Sequence, residues 1–240
     1  MRPRIGIASS RYAWPQDENN RLALLRYVQV IEEAGGVGEP LWLPRAYDAN
    51  SHGAIEAQAA RLATQLDGLL VGGGGDLHPA MYGEEELPGI KVKPLPPARP
   101  ALEAALLREF LDRSKPILGI CYGCQFFNVW RGGSLIQDIP TQWPQPIEHG
   151  DSRHCVRLLP DSVLHRIVEA EEFEVVSKHH QGIGRLAAGA ACSAVSSDRM
   201  PEALEFNDAP LFLGVQWHPE WDRESPATRR LFEALMKACS

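Results

Sequence analysis

Residues 116–125 read PILGICYGCQ, and the fold turns on how this stretch is read. Pro116-Ile117-Leu118-Gly119-Ile120 is a short apolar run of the kind buried on both faces of a parallel sheet. It meets Cys121, and residues 125–130 look like the start of a helix. Two spacings overlap here. Cys121 and Cys124 form a Cys-x-x-Cys pair, which suits a redox disulfide or half of a zinc site. Gly119 to Gly123 form Gly-x-Cys-x-Gly, which suits a nucleophile on a sharp strand-to-helix turn. Such a turn crowds the residues two before and two after the nucleophile, so glycine is needed at both. The helix start behind the thiol favours a thiolate, and the backbone N–H of Tyr122 is placed to face an oxyanion.

Upstream, the chain alternates strand and helix. Residues 3–8, 41–43 and 68–71 read as strands, the last closed by four glycines. Residues 21–34, 54–66 and 101–113 read as helices, the first stopped by Gly35-Gly36. Residues 72–99 carry five prolines and read as one long loop. This β-α-β-α order predicts a parallel sheet with helices on both faces, and the thiol would sit at its C-terminal edge, where such sheets bind ligands. Downstream, residues 155–159, 173–177, 192–196, 203–206 and 212–217 read as strands and residues 226–238 as a terminal helix. With no repeat or linker in 240 residues, a single domain over 1–240 is expected.

Composition narrows the function classes. A formal net charge of −7 with no basic stripe argues against nucleic acid. The apolar runs are too short to span a bilayer, and no signal-peptide core follows Met1, so a cytoplasmic location is expected. Five scattered cysteines do not make a secreted disulfide scaffold.

Two further motifs bear on Cys121. Gly214-Val215-Gln216-Trp217-His218-Pro219-Glu220 reads as a strand ending in an imidazole, with a carboxylate two residues on to orient it. A thiol nucleophile needs such a base. His218 alone would read as structural; beside the Cys121 turn it reads as catalytic, with Glu220 as its orienter. Val71-Gly72-Gly73-Gly74-Gly75-Asp76 could point N–H groups at a developing negative charge. The rivals are a flexible turn and a phosphate loop, the latter weakened by the missing Gly-Lys-Ser/Thr and by Asp76.

At these residues the chain resembles the class I glutamine amidotransferase-like superfamily, and within it the γ-glutamyl-γ-aminobutyrate hydrolase branch. GICYGCQ, GGGGDLHPAMYG and GVQWHPE carry the likeness, with Asn128-Val129, Gly132-Gly133-Ser134-Leu135, Gln137-Asp138 and Ser177-Lys178-His179-His180-Gln181 in support. The resemblance spans roughly residues 68–220. It implies a three-layer, flavodoxin-like α/β fold with a mostly parallel sheet. It also implies a cysteine hydrolase cleaving the γ-glutamyl amide of a small compound through a thioester on Cys121. His218 and Glu220 would complete the triad, and Tyr122 and Gly74 or a neighbouring glycine would hold the oxyanion. Gln125 would lie by the glutamyl group, and substrate binding is the reading for His179, His180 and Gln181. A solvated turn or a zinc pair at the two histidines is the rival; no further ligand set is spaced to complete a zinc site, so no metal and no cofactor are expected. A homodimer is compatible with the sequence. The alternative function is a glutaminase subunit feeding ammonia to a separate synthase. Two departures stand out. Tyr122 occupies a position where the branch commonly has arginine, and Arg99-Pro100 stands where the branch has Arg-Asp.

Overall fold

The computed structural model describes residues 1–9, 18–42 and 52–239. In chain order the first half gives β1 (Arg4–Ala8), α1 (Glu18–Glu33), β2 (Val37–Pro40), α2 (His52–Gln65), β3 (Gly68–Val71), α3 (Ala98–Asp112), β4 (Ile117–Ile120) and α4 (Tyr122–Trp130). The second half gives β5 (Leu135–Ile136), α5 (Ile139–Gln142), β6 (Ser152–Leu158), α6 (Val163–Val168), β7 (Glu172–Ser177), β8 (Gly182–Ile183), β9 (Ala191–Ser196), β10 (Pro201–Phe206), β11 (Phe212–Val215) and α7 (Pro226–Ala238).

One sheet holds nine of these strands in the order β2-β1-β3-β4-β11-β10-β9-β6-β7. From β2 to β11 every pairing is parallel. From β11 to β7 the sheet continues by antiparallel pairing. The period-2 rule then sorts the apolar side chains onto two faces. Ile5, Ile7, Leu70, Leu118, Ile120, Leu213 and Val215 pack against α1 and α7. Leu69, Val71, Ile117 and Phe212 pack against α2, α3 and α4. Three layers result, as the fold reading expects. α7 shows how: Ala227, Leu231, Phe232 and Leu235 recur on one buried stripe while Arg229, Glu233 and Lys237 face water.

The expected strand at 41–43 is displaced. The strand is β2, which ends at Pro40; Leu41 still donates its N–H to Ile7 O (2.9 Å), Trp42 is in no strand, and Leu43 lies outside the described residues. β2 is an edge strand, which is where a proline such as Pro40 can sit. The loop at 72–99 is fastened rather than free. A short helical turn forms at Pro79–Tyr82, and Asp76 accepts the N–H of Lys93 (2.6 Å) while returning its own to Lys93 O (3.0 Å).

Candidate active site

Cys121 sits between the last residue of β4 and the first of α4, and its N–H is held by Val215 O (2.8 Å). Its backbone has φ 53° and ψ −105°, a strained conformation for a residue with a side chain. The flanking glycines are steric necessities. A Cβ on Gly119 would lie 2.8 Å from the carbonyl carbon of Gly123, and a Cβ on Gly123 would run into Val71 O. The thiol faces a cavity of about 180 Å³ shared with Gly74, Asp76, Gln125, Lys178 and His180.

β11 lies beside β4, with Val215 opposite Ile120, so the two strand ends deliver Cys121 and His218 to one edge. His218 is fixed by its own N–H to Val176 O (2.8 Å). Its Nδ1 is 2.6 Å from Glu220 Oε1, which leaves the other ring nitrogen for the Cys121 thiol. Burial works to strip the proton from this imidazole. The Glu220 carboxylate and the Cys121 sulfur outweigh it and hold the pKa up at about 10.

The glycine loop is oriented from two sides. Gly73 donates its N–H to Tyr27 Oη on α1 (2.9 Å), and the next two residues, Gly74 and Gly75, line the thiol's cavity. Tyr27 is buried, with its pKa well above the ordinary phenol value through burial and the nearby Glu220 charge. Nothing in the sequence distinguished it from a core aromatic. From the other side comes Arg99, 1% exposed, donating to Gly72 O (2.8 Å), Gly73 O (3.3 Å) and Glu103 Oε1 (2.7 Å). The guanidinium stacks 3.9 Å from the centre of the Tyr122 ring, and the Tyr122 hydroxyl donates to Glu103 Oε2 (2.8 Å). Pro100 occupies the first turn of α3, and Arg99 finds its carboxylate one turn later at Glu103. Burial pushes the Glu103 pKa up against the pull of Arg99 and Tyr122. The two sequence departures thus fall into one buried Arg-Glu-Tyr network under the loop.

Gln125, His180 and Gln181 line the cavity with the thiol. Gln125 Nε2 donates to Gln181 O (2.9 Å) and Gln216 Oε1 (3.3 Å). His180 spans two carboxylates, Nε2 to Asp76 Oδ1 (2.9 Å) and Nδ1 to Asp138 Oδ1 (3.3 Å), and Asp76 foremost raises its pKa against partial burial. Gln181 Oε1 accepts from Leu77 N (3.3 Å). His179 lines the cavity too, but its ring is turned into the interior. Its ring is buried beside His149 with centroids 4.9 Å apart, and its Nδ1 meets Gln181 O at 2.9 Å. Sequence spacing offered no ligand set to complete a zinc pair at His179 and His180; the fold gathers other polar side chains around His179 alone. His149, His154 and Glu202, from three other segments, bring their ligand atoms within 4.8 Å of one another and of His179.

Cys124 is fully buried and packs on Gly214, and burial drives its pKa well up. Both Cys121 and Cys124 are free thiols. A larger, mostly apolar cleft of about 800 Å³ lies against the side chains of Leu77, Leu95, Tyr122 and Phe126. Cys121 does not line it; the thiol belongs to the smaller cavity.

A family model described as Peptidase C26 matches residues 3–220. The chain is 32% identical to protein NtpR of Enterococcus hirae over 240 residues, covering 95% of both chains. It is 32% identical over 229 residues to gamma-glutamyl-gamma-aminobutyrate hydrolase PuuD of Escherichia coli, covering 89% of this chain and 85% of that one. Among solved structures it superposes on the glutaminase domain of Trypanosoma brucei CTPS with a TM-score of 0.68 at 16% identity, covering 99% and 93% of the two chains, a likeness of fold. Among the described residues no helix is long and apolar enough to cross a membrane.

Proposed function

The chain belongs to the Peptidase C26 family, and on that footing we propose that it is a cysteine-dependent hydrolase of small γ-glutamyl amides. The observation that carries the reading is the Glu220–His218 pair (2.6 Å) set against the Cys121 thiol at the ends of two adjacent parallel strands. The γ-glutamyl hydrolase named among the relatives supports the same class of bond.

His218 takes the thiol proton, and the Cys121 sulfur attacks the γ-carbonyl carbon. The N–H groups of Tyr122 and Gly74 receive the oxyanion. Collapse expels the amine, which leaves with the proton His218 carries, and a γ-glutamyl thioester remains on Cys121. Water then gives a proton to His218 and its oxygen to the carbonyl; the sulfur leaves and glutamate is released. His218, raised to about 10, is well suited to carry the proton for the leaving amine. Glu220 fixes its tautomer and orientation. His180, bridging Asp76 and Asp138, shapes the wall of the glutamyl pocket, and Gln125 contacts the glutamyl chain. His179 acts at one remove by holding the Gln181 carbonyl.

The test is a panel of γ-glutamyl amides incubated with the purified chain alone and with Cys121→Ala. Release of glutamate by the wild type and a γ-glutamyl adduct on Cys121 by mass spectrometry are expected. No turnover of any member would overturn the hydrolase reading. Turnover that needs an added synthase would favour a glutaminase subunit instead.

A further inference from the structure

The cluster at the antiparallel end of the sheet is a second site, which shares His179 with the wall of the thiol's cavity. We propose that His149, His154, His179 and Glu202 bind a divalent transition-metal ion of the zinc type, as a closed structural centre. Each ligand comes from a different place: the segment before β6, β6 itself, the segment after β7, and β10. All four side chains are buried, at 2%, 7%, 1% and 0% exposure.

Glu202 Oε1 is 3.2 Å from His149 Nδ1, 3.6 Å from His154 Nε2 and 3.7 Å from His179 Nε2. A tetrahedral ion with bonds of about 2.0–2.1 Å spaces its ligands by about 3.3 Å, so these separations are close to three edges of such a tetrahedron. None of the three contacts satisfies a hydrogen bond. The inward nitrogen of each histidine and both Glu202 oxygens are buried without a partner.

The outer nitrogens explain why. His149 Nε2 faces Asp198 Oδ2 (3.1 Å), His179 Nδ1 faces Gln181 O (2.9 Å) and His154 Nδ1 faces Cys155 O (3.4 Å). Each ring therefore has an acceptor for a proton on its far side, and such acceptors orient metal-bound imidazoles. The neutral tautomers this favours aim three lone pairs at one carboxylate. Four acceptors converging in a buried space repel one another, and a dication resolves the repulsion and balances the Glu202 and Asp198 charges.

Local structure keeps the ligands in place. The β9–β10 register slips on either side of Ala203, an irregularity that re-aims side chains and adjoins Glu202. His149 O accepts from both His179 N (2.9 Å) and Ser177 Oγ (2.7 Å), which locks two ligand segments together. With four protein donors there is no open position, so the ion would clamp β6, β10 and the 177–181 segment rather than activate water.

The test is metal analysis of the purified full chain, with Zn²⁺ and Co²⁺ titrated into Cys121→Ala to remove the reactive thiol. Near-stoichiometric zinc, the visible spectrum of four-coordinate Co²⁺ without a sulfur charge-transfer band, and a Tm lowered by about 5–10 °C on chelation are expected. Glu202→Gln and His154→Ala should lose the ion. If these variants fail to fold, the Cys121→Ala spectrum and the chelation shift still decide. Absence of uptake of either ion, with a Tm indifferent to chelator, would overturn the proposal; so would a sulfur band in wild type that vanishes in Cys121→Ala together with the bound metal.

Discussion

At the scale of single residues, Cys121 concentrates a conflict between stability and chemistry. Its φ of 53° costs about 1–3 kcal/mol for a residue with a Cβ. Cys121→Gly should therefore be more stable than Cys121→Ala by about 1 kcal/mol in urea unfolding, although both are expected to lose all activity. Equal stabilities would show that the turn is unstrained. His218 sets the pH response. Its pKa of about 10 exceeds the ordinary imidazole value of about 6.5. A raised folded-state value means that its stabilising contribution is complete below about pH 6.5 and fades as pH rises to about 10. Activity should share that alkaline limit, since the leaving amine needs the proton. Glu220→Gln removes the chief attraction for the proton, so the alkaline limb of kcat/KM should move down by about one pH unit or more. The neutral-pH rate should fall by at least about 10²-fold. A limb that stays in place would remove Glu220 from the triad.

At the scale of elements, the site depends on how closely β3, the glycine loop and the turn before α4 approach. Gly123→Ala should cost about 3 kcal/mol or more, because its methyl would meet Val71 O, a backbone atom that cannot step aside. Arg99→Met leaves the Glu103 carboxylate buried beside an apolar chain and frees the carbonyls of Gly72 and Gly73. A loss of about 3–5 kcal/mol is expected, with much of it recovered in Arg99→Met/Glu103→Leu. Additive losses in a double-mutant cycle would show that the pair is not coupled. These elements also mark what the sequence could reveal. β3, β4 and β11 were legible because central parallel strands are continuous apolar runs, and α7 because its stripe repeats without a break. β2 was not, because Val37-Gly38-Glu39-Pro40 at an edge carries no apolar pattern. α6, β5 and β8 are too short to show a period. Cys121, His218 and Glu220 announced themselves by local motifs. Tyr27, Glu103 and the His149–His154–Glu202 group did not, because each meets its partner only through the tertiary fold.

At the scale of the whole molecule, the question is whether the parallel half and the antiparallel extension act as one body. They share a continuous hydrogen-bonded sheet, joined at β11–β10 from Ala203–Val215 to Phe206–Phe212. The residues of the proposed site straddle that join: Cys121 follows β4, His218 follows β11, and His180 and Gln181 follow β7 at the far edge. One apolar layer crosses it too, since Val156 on β6 and Leu235 on α7 belong to the same core. We therefore expect one cooperative transition, with urea unfolding by tryptophan fluorescence and by far-UV circular dichroism coinciding. Leu235→Ala, which empties a fully buried position, should lower the midpoint of both signals together by an amount equivalent to about 2–5 kcal/mol. Val156→Ala at the other end of the sheet should likewise shift both. If either substitution moved one signal and left the other, residues 1–240 would comprise two folding units, and the site would lie across their boundary.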